Sequence, residues 1–353
     1  MPETPYDSPQ APPTTIVYAQ PPRQGLLRTL LSTLFRGLLT LVVIIITVAV
    51  GVGFLVALSG QAGPLPDAYR PGFGPTEVSI LQIDSVITGE EAEFVRTAVN
   101  TILENDSVKA VVLRVDSPGG EVTASDQIWR QIQRLKDDGI TVVASYGAVA
   151  ASGGYYISCH ADSIVAEPTT ITGSIGVIMN ALTFEDLLAK IGVDPVVLVA
   201  EQSPDKALAN TIYRDWTEED LAVMRDLLDG TYEIFFDRVY QGRKHVVADE
   251  SVMRNVADGS IYMADDAMTA GLVDSIGYLD DAVDLAIQLS GAAPDTPVNR
   301  YKPWEPPFQL PLALKANAAN ASRSPQLPST PAEWRLWWYE LNRPKAMYLF
   351  DLN

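Results

Sequence analysis

From Gly37 to Ser59 the chain runs GLLTLVVIIITVAVGVGFLVALS without a single charge. As a helix rising ~1.5 Å per residue, such a run is ~35 Å long, enough to cross a hydrocarbon core of ~30 Å. A cleaved secretory leader would carry a shorter apolar stretch, roughly 7–15 residues, and would not stand behind a proline-rich head. Arg23, Arg28 and Arg36 precede the run, and the nearest charges after it are Asp67 and Arg70. The positive-inside rule then places the N-terminus in the cytoplasm and everything after residue 60 outside it. The sequence predicts a single-pass protein of the cell membrane with an extracytoplasmic body.

The other segments differ in composition. Residues 1–25 include Pro2, Pro5, Pro9, Pro12, Pro13, Pro21 and Pro22 and read as a disordered cytoplasmic tail. Residues 60–75 (GQAGPLPDAYRPGFGP) read as a linker, and 76–292 as the folded body. Residues 293–353 form a Pro/Trp-rich extension holding Trp304, Trp334, Trp337 and Trp338. The net charge of −19, from 25 basic and 44 acidic side chains, excludes nucleic acid as a partner, because phosphate contacts need clustered Lys and Arg. With one cysteine, Cys159, there is no intramolecular disulfide and no Cys-rich zinc site. His160 and His245 are the only histidines and there is no HExxH. No metal and no cofactor are expected.

Hydrophobic periodicity places the body in the α/β class. Val78–Ile83 alternates apolar and polar as a half-buried strand does, and Val108–Val115 is a β-branched run of buried-strand length. Between them, residues 90–104 set Phe94, Val95, Val99, Ile102 and Leu103 on one helical face. A helix from about Thr123 to Lys136, a strand Ile140–Ser145 and a further apolar piece at 163–166 follow. Strands alternating with helices imply a mostly parallel sheet with right-handed crossovers. Residues 217–241 read as one long amphipathic helix, capped by Thr217 and acidic in its first turn.

Two glycine pairs stand at the C-terminal ends of expected strands, where open α/β sheets bind ligands. Gly119-Gly120 ends DSPGG, and Gly153-Gly154 follows Ser152 in AVAASGGYYIS. Glycines there can serve tight strand-to-helix turns, or let the backbone offer N–H groups to an incoming ligand. Two pairs with a serine among small residues point to acyl transfer, with Ser152 attacking and backbone N–H groups holding the oxyanion. Ala150 stands where G-x-S-x-G needs its first glycine, which disfavours an α/β-hydrolase elbow. His160 reads as a helix-surface residue, and His245, beside Gly242-Arg243-Lys244, as part of a solvated loop. The alternative base to histidine is a lysine.

RVDSPGG (114–120), SYGAVAASGGYYIS (145–158), TGSIGV (172–177) and the surroundings of Lys206, in this order and spacing, resemble the signal peptide peptidase A (protease IV) family. The likeness covers about residues 76–290. It implies a Clp-protease/crotonase-like core and a membrane-anchored serine endopeptidase with a Ser–Lys dyad. Ser152 matches the nucleophile, Lys206 the general base and Ser174 the hydroxyl that orients the lysine. Gly119 and Gly120 match the oxyanion loop, completed by the N–H of Gly153. The family's implied substrates are residual signal peptides and other apolar extended peptides, and its short form implies a homo-oligomer. The other readings are a catalytically silent scaffold on the same fold, binding peptides or membrane proteins, and a crotonase-type acyl-CoA enzyme. The outward topology separates the latter from its cytoplasmic ligand.

Overall fold

The computed structural model describes residues 35–44, 47, 66–203, 206, 212–303 and 347–349. The chain divides into two units, Met1–Ala62 and Gly63–Asn353. In the first, residues 35–44 form an exposed helix, α1. The tail 1–25 lies outside the described residues, as does most of the Gly37–Ser59 run. Among the described residues no helix is long and apolar enough to cross a membrane.

The second unit opens with β1 (Asp67–Arg70), β2 (Glu77–Ile83), α2 (Gly89–Leu103), β3 (Val108–Ser117), the short β4 (Gly119–Glu121) and α3 (Val122–Asp137). There follow β5 (Thr141–Ala151), α4 (Gly153–Ser158), β6 (Ser163–Ala166), β7 (Ile171–Gly173), α5 (Glu185–Lys190) and α6 (Glu218–Arg243). The chain continues through α7 (Glu250–Val256), β8 (Ile261–Met263), α8 (Ala264–Thr269), β9 (Ser275–Ile276), α9 (Leu279–Ser290), β10 (Val298–Tyr301) and β11 (Met347–Leu349). The main sheet runs β1-β10-β2-β3-β5-β6-β9, with β7 beside the far end of β5 and β8 beside β7. Every pairing in it is parallel except β1 with β10 and β7 with β8. The α/β, Clp-protease-like core with a mostly parallel sheet is thus as expected.

Both faces of this sheet are covered, which is why β3 and β5 read as near-continuous apolar runs. Val111, Leu113 and Val115 of β3 pack with Val95, Val99 and Ile102 of α2 and Ile128 and Ile132 of α3. Their alternates, Ala110 and Val112, join Val143 and the Ala282, Val283, Ala286 face of α9. Side chains on a strand point alternately to opposite faces, so one sequence supplies two cores. Helix starts are fixed by side chains. Thr88 caps α2 and Thr217 caps α6, each in a reciprocal box with the acidic residue three positions on.

Two strands lie outside the 76–292 body. Asp67–Arg70, inside the stretch read as a linker, pairs antiparallel with Val298–Tyr301, which in turn lies parallel to β2. Ion pairs of Arg70 with Asp280 and Asp284, and of Arg300 with Asp67, hold this edge.

Candidate active site

Ser152 sits between the end of β5 and the start of α4, with φ 51° and ψ −114°. An L-residue pays ~1–3 kcal/mol to stand there, so its surroundings must over-determine it. They do so through hydrogen bonds on both sides. The Ser152 N–H donates to the Gly173 carbonyl at 2.8 Å, and its own carbonyl accepts from Tyr156 N–H at 2.9 Å. Every residue of α4 is buried, and the Tyr155 hydroxyl donates to the Leu272 carbonyl at 3.0 Å. The serine is therefore held rigidly at the C-terminal end of a parallel strand. Its side chain is buried, yet Oγ has no hydrogen-bond partner among the described residues. Leaving a buried hydroxyl unpaired costs ~1–3 kcal/mol, and a group awaiting a substrate and a base accounts for that cost.

The second glycine pair comes to the same place. A Cβ on Gly153 would lie 2.7 Å from Ser125 Oγ and 3.1 Å from both Gly119 Cα and Gly120 N. A Cβ on Gly154 would meet the Ser117 carbonyl at 2.8 Å, and one on Gly120 would meet the Ile87 carbonyl at 2.0 Å. The two loops touch backbone to backbone, an approach open only to glycine. Gly119, at φ 103°, turns the chain from β3 into β4, and its own N–H donates to Ser117 Oγ at 3.2 Å. The first amides of α4, beginning at Gly153, have no intrahelical acceptor, as at any helix start. Gly153→Ala is expected to push the loops apart and lower kcat by roughly a hundredfold to a thousandfold with little change in KM, the usual loss for a misplaced oxyanion donor. Steady-state kinetics on the variant checks this, and an unchanged kcat would remove Gly153 from the site.

Ser174 also belongs to this neighbourhood. It follows Gly173, which lies opposite Ala151 in the β5–β7 register, and it too has a left-handed backbone, φ 49°. Its N–H donates to the Ser260 carbonyl at 2.7 Å, so the turn is fixed. Lys206 lies elsewhere: it is exposed, with its backbone N–H on the Ser203 carbonyl at 3.1 Å. The structure therefore brings Ser152, Gly119, Gly120, Gly153 and Ser174 together and leaves the Lys206 amine off the serine. Lys206 follows an exposed apolar stretch in which Leu182, Val196 and Leu198 are 73%, 83% and 89% exposed and α5 buries nothing.

Two expectations need correction. His160 is not a surface histidine: it packs edge-on against Trp129 at 5.4 Å between ring centres, and its Nε2–H donates to the Arg238 carbonyl at 2.7 Å. Burial holds its pKa below the ordinary histidine value, so it is a neutral packing residue. Arg243 is not solvated either but 0% exposed, bound to Asp274 and to the Gly271 carbonyl. His245 is exposed. Burial also pushes the Cys159 thiol up to about 12, which removes it as a rival nucleophile.

Residues 134–293 match the family model described as peptidase family S49, and residues 76–169 match that of Clp protease. A putative signal peptide peptidase SppA of Enterococcus faecium is 34% identical over 247 residues, covering 67% of this chain and 70% of that one. The putative protease slr0021 of Synechocystis is 35% identical over 219 residues, 62% of this chain and 76% of that one. The chain belongs to peptidase family S49. Within the family it is also similar to protease 4 of Haemophilus influenzae, 34% identical over 245 residues, which are 67% of this chain but only 38% of that protein. S49 membership makes the protein a serine peptidase of the SppA/protease IV type on a Clp-protease-like fold.

Proposed function

We propose that the protein is a membrane-anchored serine endopeptidase in which Ser152 and Lys206 form a dyad, degrading residual signal peptides and similar apolar peptides on the extracytoplasmic side. The observation that carries this reading is the buried, unpartnered Ser152 Oγ on a strained turn against the Gly119-Gly120 backbone. The Lys206 amine takes the proton of Ser152 Oγ as that oxygen attacks the peptide carbonyl. The N–H groups of Gly120 and Gly153 receive the oxyanion, and Gly119 shapes their loop. Collapse expels the amine half of the peptide, which takes its proton from Lys206, and a water deprotonated by the same amine then cleaves the acyl-serine. The Ser174 hydroxyl orients the lysine. No cofactor enters any step.

The name of the Enterococcus faecium relative supports signal peptides as substrates. The uncharged 37–59 run supports the anchor, with the N-terminus cytoplasmic. The exposed apolar stretch before Lys206 supports a homo-oligomer, since monomers rarely leave so much apolar surface in water. Assembly would order this arm and bring a lysine, from the same or a neighbouring subunit, to each serine.

The full chain in detergent, incubated with a set of synthetic signal peptides, is expected to cleave them. Failure of a verified oligomer to cleave any would favour the silent scaffold. Lys206→Arg is expected to lower kcat/KM by roughly a hundredfold or more, because a guanidinium does not release its proton near neutral pH. An amine is a base only when uncharged, so wild-type kcat should climb from pH 6 to 9. A flat profile, or an active arginine variant, would assign the base elsewhere.

A further inference from the structure

Strand β4 has two edges, and the chain itself occupies both. On the inner edge Ile87 forms an isolated parallel bridge with Gly120: its N–H donates to the Gly119 carbonyl and its carbonyl accepts from Glu121 N–H, both at 2.8 Å. On the outer edge lies β11, only four residues from the C-terminus, antiparallel and in the register Met347↔Glu121, Tyr348↔Gly120, Leu349↔Gly119. This two-stranded sheet is separate from the main one. We propose that the outer edge of β4 is the docking edge for extended peptides, and that the chain's own segment Met347–Leu349 is its resident occupant, which a substrate must displace.

The inference rests on the peptidase reading above and extends it to where the substrate backbone lies. Gly119 Cα and Gly120 N are the backbone atoms that crowd Gly153, next to Ser152. A strand paired with β4 in this register therefore sets the residue opposite Gly119 at the serine and runs the two before it along Gly120 and Glu121. Strand addition of this kind draws affinity from the main chain and so accepts many sequences. The sequence around β11, Ala346-Met347-Tyr348-Leu349-Phe350, is uncharged and apolar, the chemistry proposed for the substrates. An edge holds one strand at a time, so occupant and substrate exclude each other. Residues 302–346 tether the occupant to β10. A flexible tether gives an effective concentration that reaches roughly millimolar, so a strand binding with a Kd of ~0.1 mM would hold the edge most of the time and weaken a competitor about tenfold.

The test compares the full chain carrying Ser152→Ala with the same chain also carrying Tyr348→Pro and Leu349→Pro, which removes whichever of the two N–H groups faces β4. The probe is a fluorescent synthetic peptide of residues 345–353, followed by anisotropy. The proline variant is expected to bind it about tenfold more tightly than its parent. Equal affinities, or no binding to either, would overturn the proposal. Neither protein cleaves, so this readout does not depend on catalysis. In the Ser152 background the same prolines should lower the apparent KM for an apolar peptide about tenfold and leave kcat unchanged; an unchanged KM would count against the occupant. A chain that binds the probe as expected but cleaves nothing would retain the docking edge and refute the peptidase reading.

Discussion

Ser152→Ala is expected to abolish peptide cleavage, lowering kcat by more than about a thousandfold, while the folded chain melts no earlier than the wild type. Losing the nucleophile of an acyl-transfer site removes the covalent route entirely, and what remains comes from the oxyanion donors and binding alone. Stability should not suffer, because the hydroxyl that leaves is buried and bonded to nothing among the described residues. A companion substitution separates chemistry from strain. Ser152→Gly should be equally inactive yet about 1 kcal/mol more stable, since only glycine adopts φ 51°, ψ −114° without cost. Near-wild-type cleavage by either variant would mean that the nucleophile is another group.

Arg243→Ala should cost about 3–5 kcal/mol of stability, measured by urea unfolding of the second unit's transition in the full chain. The guanidinium is 0% exposed. Its Nε donates to the Gly271 carbonyl at 2.9 Å, and Nη1 and Nη2 donate to the two Asp274 oxygens at 2.9 and 2.6 Å. Burial acts against the charge, but the hydrogen bonds and charge of Asp274 outweigh it and hold the pKa above the ordinary arginine value. Asp274 Oδ2 also accepts Ile164 N–H at 2.7 Å, so one carboxylate ties the end of α6 to the start of β6. Alanine would leave that carboxylate without its counter-charge and open a cavity beside Tyr155, the third residue after Ser152. A loss below 1 kcal/mol would show that the pair is not a structural tie.

The strands β2, β3 and β5 were legible because burial on one or two faces writes itself into a local pattern of alternation or β-branched runs. β1 and β10 were not, since DAYR and VNRY carry charges and pair across more than two hundred residues, a relation no local window contains. Ser152 was legible from its glycine neighbours, although its left-handed backbone was not: a serine before a helix reads as an ordinary N-cap. Arg243 was hidden for the same reason as β10. Its neighbours Gly242, Lys244 and His245 look solvated, and its partner Asp274 lies 31 positions on. Lys206 came from resemblance alone, because a lysine among polar residues carries no local mark of a base.

The most direct measurement of the central claim is the site of covalent labelling by a fluorophosphonate, which loses fluoride as it phosphonylates an activated serine oxygen. Intact-mass and tandem mass spectrometry of the labelled full chain should find one adduct per chain, on the peptide containing Ser152, and none in Ser152→Ala or at pH 5, where an amine base is protonated. An adduct on a different residue, or a cleaving enzyme that takes no label at Ser152, would contradict the account.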